Sequence, residues 1–220
     1  MGANFITGTG TDIGKTWLAC ALLRHWRARG FQPAAYKPVL SGFDAANAAA
    51  SDAGLLLAAL DRPASLAELD AIAPWRFAAP LSPDMAAARE GRRIVFNDLL
   101  AFTRQAVTGA PLLIEGVGGV MVPLDEGHTV RDWIAGSGLP CVLVAGSYLG
   151  SLSHTLTALE ALARVGAGVT AIAVNETPES PVGLAATVEC LSRYVAGVPV
   201  VAIARGHPDA GVARLAELLC

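Results

Sequence analysis

The sequence predicts an α/β fold, a mostly parallel sheet covered by helices on both faces, and three observations predict it. Short apolar runs alternate along the chain with longer amphipathic ones, which is the rhythm of strand followed by crossover helix. The apolar runs are continuous rather than alternating with polar residues, as in CVLVA at 141–145, and strands buried on both faces read that way. Each run is short and bounded by Gly or Pro, so none reaches the length needed to cross a membrane.

The elements follow in order. Residues 4–7 read as a first strand, then a glycine-rich loop, then a helix over 14–29 that Gly30 stops as a left-handed C′ residue. Residues 33–37 form a short second strand. Residues 52–60 and 97–107 are helical. LLIE at 112–115 is a strand that ends in an acid and a glycine-rich turn. Strands at 141–145, 170–175 and 198–203 then alternate with helices at 151–165, 181–195 and 209–219. The stretch 44–84 is the least regular and the natural home of a substrate loop. In such sheets ligands sit beyond the carboxyl ends of the strands, so the residues just after the strands carry the function.

Composition excludes several classes. A chain that is 53% hydrophobic and 16% charged cannot remain disordered. Its net charge of −3 and the absence of a basic stripe give no electrostatic footing for nucleic acid. The N-terminus has neither a basic region nor a long apolar one, so no signal peptide or membrane partner is expected. Cys20, Cys141, Cys190 and Cys220 are scattered and form no Cys-x-x-Cys pair. Ordinary thiols in a reducing, cytoplasmic setting are the expectation. His25, His128, His154 and His207 share no metal-ligand spacing and are expected at the surface or at helix ends.

The strongest motif is GTGTDIGKT, Gly8 to Thr16, between a strand and a helix. There backbone N–H groups wrap phosphates and the helix N-terminus adds positive potential. Lys15 reaches for the terminal phosphates and the Thr16 hydroxyl for Mg²⁺. Five residues separate Gly8 from Gly14, one more than the general pattern, and Thr9 stands where glycine is usual. The loop makes the expected fold a single P-loop NTPase domain spanning 1–220. Glu115, at the tip of LLIE, is placed to share a Mg²⁺ shell. Gly116, Gly118 and Gly119 let backbone approach a ligand. Asp52 by itself reads as an acid favoured at a helix N-terminus. Lys37, held extended by Pro38, reads as either an anion-binding or a solvated lysine. Ser41 and Gly42 follow in a turn-like segment.

TGTGTDIGKT, YKPVLSG, the SD of Ser51-Asp52, LLIEGVGG, LGSLSHTLTALEAL and AVN occur in an order and spacing that closely resemble the dethiobiotin synthetases. The enlarged gap in the phosphate loop is a feature of that family, and the Tyr36–Gly42 segment discriminates most. The resemblance implies a homodimer that uses Mg-ATP and CO₂ or bicarbonate to close a urea ring on 7,8-diaminononanoate. The steps would be a carbamate, its phosphorylation to a mixed anhydride, and attack by the second amine. It implies Thr16, Asp52 and Glu115 as Mg²⁺ ligands, and Lys15 and Lys37 as the cations facing the phosphoryl group and the carbamate. It implies Thr11 and Ser41 as substrate-side donors with catalytic roles. Leu149, Gly150 and Ser153 would hold the substrate carboxylate across the dimer interface. Asp12, Ile13, Gly14, Trp17, Gly118 and Asn175 would bind the nucleotide, Asn175 reading adenine, with Ala204, Arg205 and Gly206 beside the base.

The chain departs from the family at Asp12, where Glu is usual, and at Ser153, where Asn is common. Two other classes share the phosphate loop. Amidoligases acting on corrin-like acids are longer. Partition or septum-positioning ATPases carry a lysine where this chain has Gly10, and often a basic patch or membrane tail. The final segment VARLAELLC bears one arginine, and core packing explains it better than a membrane does.

Overall fold

The computed structural model describes residues 2–107, 111–195 and 197–219. Its centre is a six-stranded sheet of β1 (Ala3–Gly8), β2 (Ala34–Tyr36), β5 (Leu112–Glu115), β6 (Cys141–Gly146), β7 (Val169–Asn175) and β8 (Val200–Ile203), in the order β2-β5-β1-β6-β7-β8. Every pairing is parallel. The order reverses at β1, whose neighbours are β5 on one side and β6 on the other. The crevice above the end of β1 is therefore the topological switch point where α/β sheets bind ligands.

The period of two along each strand splits the core into two layers. Ile6, Leu113, Val142, Val144, Ala171 and Ala173 pack under α1 (Lys15–Arg27), α2 (Asp52–Ala59), α3 (Leu66–Ile72) and α9 (Asp209–Leu218). Phe5, Leu112, Ile114, Leu143, Ile172 and Val174 face the other way. Against them lie α5 (Phe96–Ala106), α6 (Val130–Ser137), α7 (Ser151–Ala163) and α8 (Leu184–Tyr194). In that second layer Trp133 of α6 meets Phe5 edge-on at 4.8 Å and donates its indole N–H to Thr103 Oγ1 at 2.9 Å. Helices thus cover both faces, as the continuous apolar strands require.

The predicted strands and their helices all appear, with ends shifted by a few residues. The first helix closes where the sequence placed its stop. Gly30 has φ 82, its N–H bonds Arg27 O and the Phe31 N–H bonds Trp26 O, which is the paired closure of a Schellman motif. The middle of the chain is more regular than expected. β3 (Val39–Ser41) and β4 (Trp75–Phe77) form a separate parallel pair, and α3, α4 (Pro83–Arg89) and α6 were not foreseen. A 3-10 helix over Ala45–Ala50 precedes α2. Ser41 therefore ends a strand rather than lying in a turn, and only Gly42, at φ 74, makes the turn.

Among the described residues no helix is long and apolar enough to cross a membrane. Cys20, Cys141 and Cys190 are free thiols, and burial pushes Cys20 up to about 11 and Cys141 up to about 12. Cys220 lies outside the described residues.

Candidate active site

The loop from Gly8 to Lys15 rises from the end of β1 and turns into α1 at Gly14, whose φ of 90 is open to glycine and strained for other residues. A side chain there would also collide with the amide of Asn175. From the end of β7, Asn175 Nδ2 donates to Ile13 O at 2.8 Å, so one strand end braces the loop rising from another. The turn after β5 closes the opposite side. Val120 N–H bonds Gly8 O at 3.1 Å, and a Cβ on Gly119 would sit 3.1 Å from Thr9 O. Glycine at that position is what lets the two backbones approach so closely.

Beneath the loop lies a buried knot of charge. Glu115 Oε1 accepts from Thr16 Oγ1 at 2.7 Å and from Lys37 Nζ at 2.6 Å. Lys37 also donates to Gly116 O at 2.7 Å and pairs with Asp52 Oδ2 at 3.1 Å. Lys37 is 2% exposed and Glu115 1% exposed, which decides between the two sequence readings of Lys37: it is not solvated. Burial alone would lower the Lys37 pKa, but the Glu115 and Asp52 carboxylates outweigh it and hold the ammonium above its ordinary value. Burial pushes the other way on Asp52, where the Lys37 charge wins and keeps the carboxyl below its usual range. Lys15 is the exception. Desolvation, with Lys37 nearby, takes it from 10.5 down to about 8, although Glu115, Asp52 and Asp12 pull upward. Its ammonium folds onto Gly10 O at 2.6 Å.

Two cavities open from this centre. The first, about 640 Å³, runs from the phosphate loop past Trp17 to Asn175, Glu176, Thr177 and Arg205. The second, about 650 Å³, holds Lys15, Thr16, Lys37 and Asp52 at its polar end and Leu40, Leu55, Leu81, Val117 and Val122 along its walls. Thr11, Asp12, Gly14 and Trp17 line both, so the tip of the phosphate loop stands between them. Asp12 takes φ 55, an uncommon left-handed position for a side-chain-bearing residue.

The structure brings together Thr11, Asp12, Gly14, Lys15, Thr16, Trp17, Lys37, Ser41, Asp52 and Gly118 around the second cavity. Glu115 lies beneath them, bonded to Thr16 and Lys37. Ile13, Asn175 and Arg205 belong to the first cavity, while Ala204 and Gly206 flank Arg205 without lining it. Arg205 N–H donates to Glu176 Oε2 at 2.8 Å. Asn175 differs from expectation in one respect: its amide nitrogen is committed to the phosphate loop, and only Oδ1, buried and without a partner, is left to read a base. Leu149, Gly150 and Ser153 stand apart from both cavities at the start of α7, with Leu149 78% exposed.

The sequence did not single out Tyr148, Glu176 and Thr177 beside the first cavity, nor Ser82, Val117 and Val122 beside the second. Glu176 and Thr177 directly follow β7, so the rule that function sits just past strand ends would have found them.

The donor set suits a hard cation. It consists of one hydroxyl, Thr16, and two carboxylates, Asp52 and Glu115, and Glu115 Oε2 is buried with no partner. Among the described residues no cluster of three or more His, Cys, Asp or Glu could hold a metal by itself.

A family profile described as an AAA domain matches residues 3–209. An ATP-dependent dethiobiotin synthetase BioD of Acidiphilium cryptum is 51% identical over 210 residues, covering 93% of each chain. The protein of the same name from Phenylobacterium zucineum is 46% identical over all of this chain and 95% of its own. Among solved structures, the cell division ATPase MinD of Pyrococcus furiosus aligns with a TM-score of 0.61 at 14% identity, covering 100% of this chain and 98% of that one. That last likeness is one of fold alone.

Proposed function

The chain belongs to the ATP-dependent dethiobiotin synthetase family, and we propose that it closes the urea ring of dethiobiotin on 7,8-diaminononanoate, using CO₂ and Mg-ATP. It is a ligase of biotin biosynthesis and uses ATP through its phosphate loop. We take residues 1–220 as one catalytic domain, working in the cytoplasm as a homodimer. The observation that carries the substrate assignment is the buried Lys37–Glu115 pair under the phosphate loop, with Asp52 beside it, opening into a second cavity with a charged end and apolar walls.

The geometry supports a division of labour. The first cavity takes the base and ribose, with Asn175 Oδ1 as an acceptor for an exocyclic amino group. The loop amides and Lys15 take the phosphates. Burial, with Lys37 nearby, takes the Lys15 ammonium down to about 8, and phosphate oxygens beside it would offset that cost. Thr16, Asp52 and Glu115 would hold Mg²⁺, which would supply positive charge against the phosphates.

In the second cavity the alkyl chain of the diamine lies along Leu55, Val117 and Val122, with its nitrogens toward Lys37 and Ser41. One amine adds to CO₂ and loses a proton to become a carbamate, which Lys37 holds by charge. The carbamate oxygen attacks the γ-phosphorus and ADP leaves. The second amine then attacks the carbonyl carbon of the mixed anhydride, and phosphate departs as the ring closes. The protein forms no covalent bond in this sequence. Its contribution is position and fixed charge. The remote carboxylate would reach the start of α7 of a second copy, at Leu149, Gly150 and Ser153, where unpaired helix amides favour an anion.

The test is direct. Incubation with the diamine, ATP, Mg²⁺ and labelled bicarbonate should put label into the cyclic urea. ATP hydrolysis without labelled urea would defeat the substrate assignment.

A further inference from the structure

Past the ends of β6 and β7 the backbone ladder stops and side chains continue the pairing. The last paired residues are Gly146 and Asn175. Glu176 N–H then turns away to Ile203 O at 3.0 Å, toward β8. Thr177 turns back to Ser147, and the two exchange bonds. Ser147 N–H donates to Thr177 Oγ1 at 3.1 Å, and Thr177 N–H donates to Ser147 Oγ at 2.9 Å. Ser180 Oγ donates to Ser147 O at 2.7 Å and accepts from Val182 N–H at 3.1 Å. Ser147 is fully buried, and its N–H, its carbonyl and its hydroxyl all serve the loop that follows β7.

This clasp stands between two parts of the site. On one side, Gly146, Tyr148, Asn175, Glu176, Thr177 and Pro178 line the first cavity, so the clasped segments make one of its walls. The fit there is close. A Cβ on Gly146 would stand 2.8 Å from Thr177 Oγ1, 2.9 Å from Tyr148 Cδ1 and 3.1 Å from Ile13 Cδ1 of the phosphate loop. On the other side, α7 begins at Ser151, just past Ser147, and Ser151 N–H bonds Tyr148 O at 3.0 Å. The clasp therefore fixes the segment from which α7 starts as well as the wall of the cavity.

We infer that Ser147 is a positioning residue that ties the base end of the nucleotide cavity to the start of α7, so that loss of its hydroxyl weakens the hold on ATP and on the substrate carboxylate together. This rests on the synthetase reading, which puts the base in the first cavity and the carboxylate of a second copy's substrate at the start of α7. The physical cause is local. Without Ser147 Oγ, Thr177 N–H loses its acceptor, and the loop must shift to find another. Thr177 moves with the cavity wall, and Ser147 loses one of the bonds that hold it under Tyr148 and Leu149. Ser147 touches no reacting atom, so the effect falls on binding and not on the chemical step. One copy's clasp serves its own nucleotide and its neighbour's diamine.

The experiment compares the wild type with Ser147→Ala, Ser180→Ala, Thr177→Val and the double variant Ser147→Ala/Thr177→Val. Calorimetry reads ATP binding without diamine. Labelled-urea formation is measured with the diamine acid and with 7,8-diaminononane, which lacks the carboxylate. Thermal melting accompanies each. For Ser147→Ala, the Kd for ATP and the KM for the diamine acid should each rise about three- to tenfold, as for loss of one neutral hydrogen bond. kcat should hold at the wild-type value. At saturating ATP the KM for diaminononane should not change, because it has no group for α7 to hold. Ser180→Ala should move the same two constants in the same direction and by less, and it reads the clasp if Ser147→Ala fails to fold. The double variant should lose less than the product of the single losses.

An unchanged Kd for ATP in Ser147→Ala overturns the inference. So does a lower melting midpoint with reduced kcat and both constants at wild-type values, which would make Ser147 a structural residue only. Equal rises in KM for the diamine acid and for diaminononane would remove α7 from the link and overturn it too. If the wild type makes no labelled urea, the synthetase reading falls and takes the inference with it. If it does and Ser147→Ala binds ATP as the wild type does, only the inference falls.

Discussion

Replacing Lys37 with methionine tests the buried knot, because it removes a charge while keeping length and bulk. Lys37 is 2% exposed, and Glu115, its nearest partner at 2.6 Å, is 1% exposed. Breaking a buried ion pair by deleting one member costs about 3–5 kcal/mol, mostly the penalty of the charge left behind. Two features point to the lower end. Glu115 Oε1 keeps the Thr16 hydroxyl, and Asp52, with its side chain 39% exposed, can turn to water. A loss of about 3 kcal/mol in a chain this long lowers the melting midpoint by about 6–12 °C.

Adding Glu115→Gln to the variant removes the stranded charge and should recover most of that loss, so the two substitutions must be far from additive. Urea formation in Lys37→Met should fall about 10²–10³-fold, the usual cost of deleting a positioned electrostatic stabiliser. ATP affinity should change far less, since Lys37 does not line the first cavity. Thermal melting without nucleotide, binding calorimetry and the labelled-urea assay read these three quantities. A single variant melting within about 2 °C of wild type, or a double variant no better than the single, would refute the energetic reasoning. Collapsed ATP affinity with turnover intact would refute the role given to Lys37.

Lys15→Met should abolish nucleotide turnover and leave the fold intact. The folded Lys15 pKa of about 8 lies below the unfolded 10.5, so its burial penalty is complete below pH 8 and vanishes as pH rises to 10.5. Nucleotide-free Lys15→Met should therefore melt above wild type at pH 7, by up to about 3 kcal/mol of stability, with the gap closing by pH 10. A gap that widened with pH would contradict the burial. Asn175→Asp removes the donor that braces Ile13 O and sets a negative charge by the loop, so calorimetry should find ATP bound about tenfold or more weakly. Asp52→Asn should raise the Mg²⁺ concentration needed for half-maximal rate while leaving ATP affinity without metal near wild type; an unchanged Mg²⁺ requirement removes Asp52 from the ligand set. Thr103→Val strands the buried Trp133 N–H and should cost about 1–3 kcal/mol in urea unfolding with kcat unchanged.

The six-stranded sheet was legible because each strand is a continuous apolar run beside a longer helix, and burial on both faces demands that pattern. The phosphate loop was legible because its chemistry is carried by backbone and by adjacent residues. β3 and β4 were not. Each has three residues and pairs across more than thirty positions of chain, so neither periodicity nor turn spacing announces them. α3, α4 and α6 had local signals that the periodicity reading passed over. Ser65 with Glu68, Thr129 with Asp132 and the proline of Ser82-Pro83 are all helix-start patterns. At seven or eight residues these helices are too short for an apolar stripe to repeat, which is why the starts had to be read without it.

The site divides along the same line. Gly8 to Thr16 and Glu115 sit at the ends of β1 and β5, neighbours in the sheet, and their juxtaposition follows from strand order alone. Lys37, Ser41, Asp52 and Ser82 come from the segment between β2 and α5, and no rule of strand order joins them. What joins them is that Pro38 ends β2 and starts a second small sheet, Ser51 caps α2 so that Asp52 opens it, and Gly42 bonds Ala79. Each of these is a local device of a residue or two. The phosphate half therefore follows from the order of the strands, whereas the substrate half depends on the segment between β2 and α5. Changes of substrate in such a fold are accordingly expected within 37–84 and on the rim formed by Val117 and Val122, and changes at the ends of β1 and β5 are expected to abolish turnover for every substrate alike.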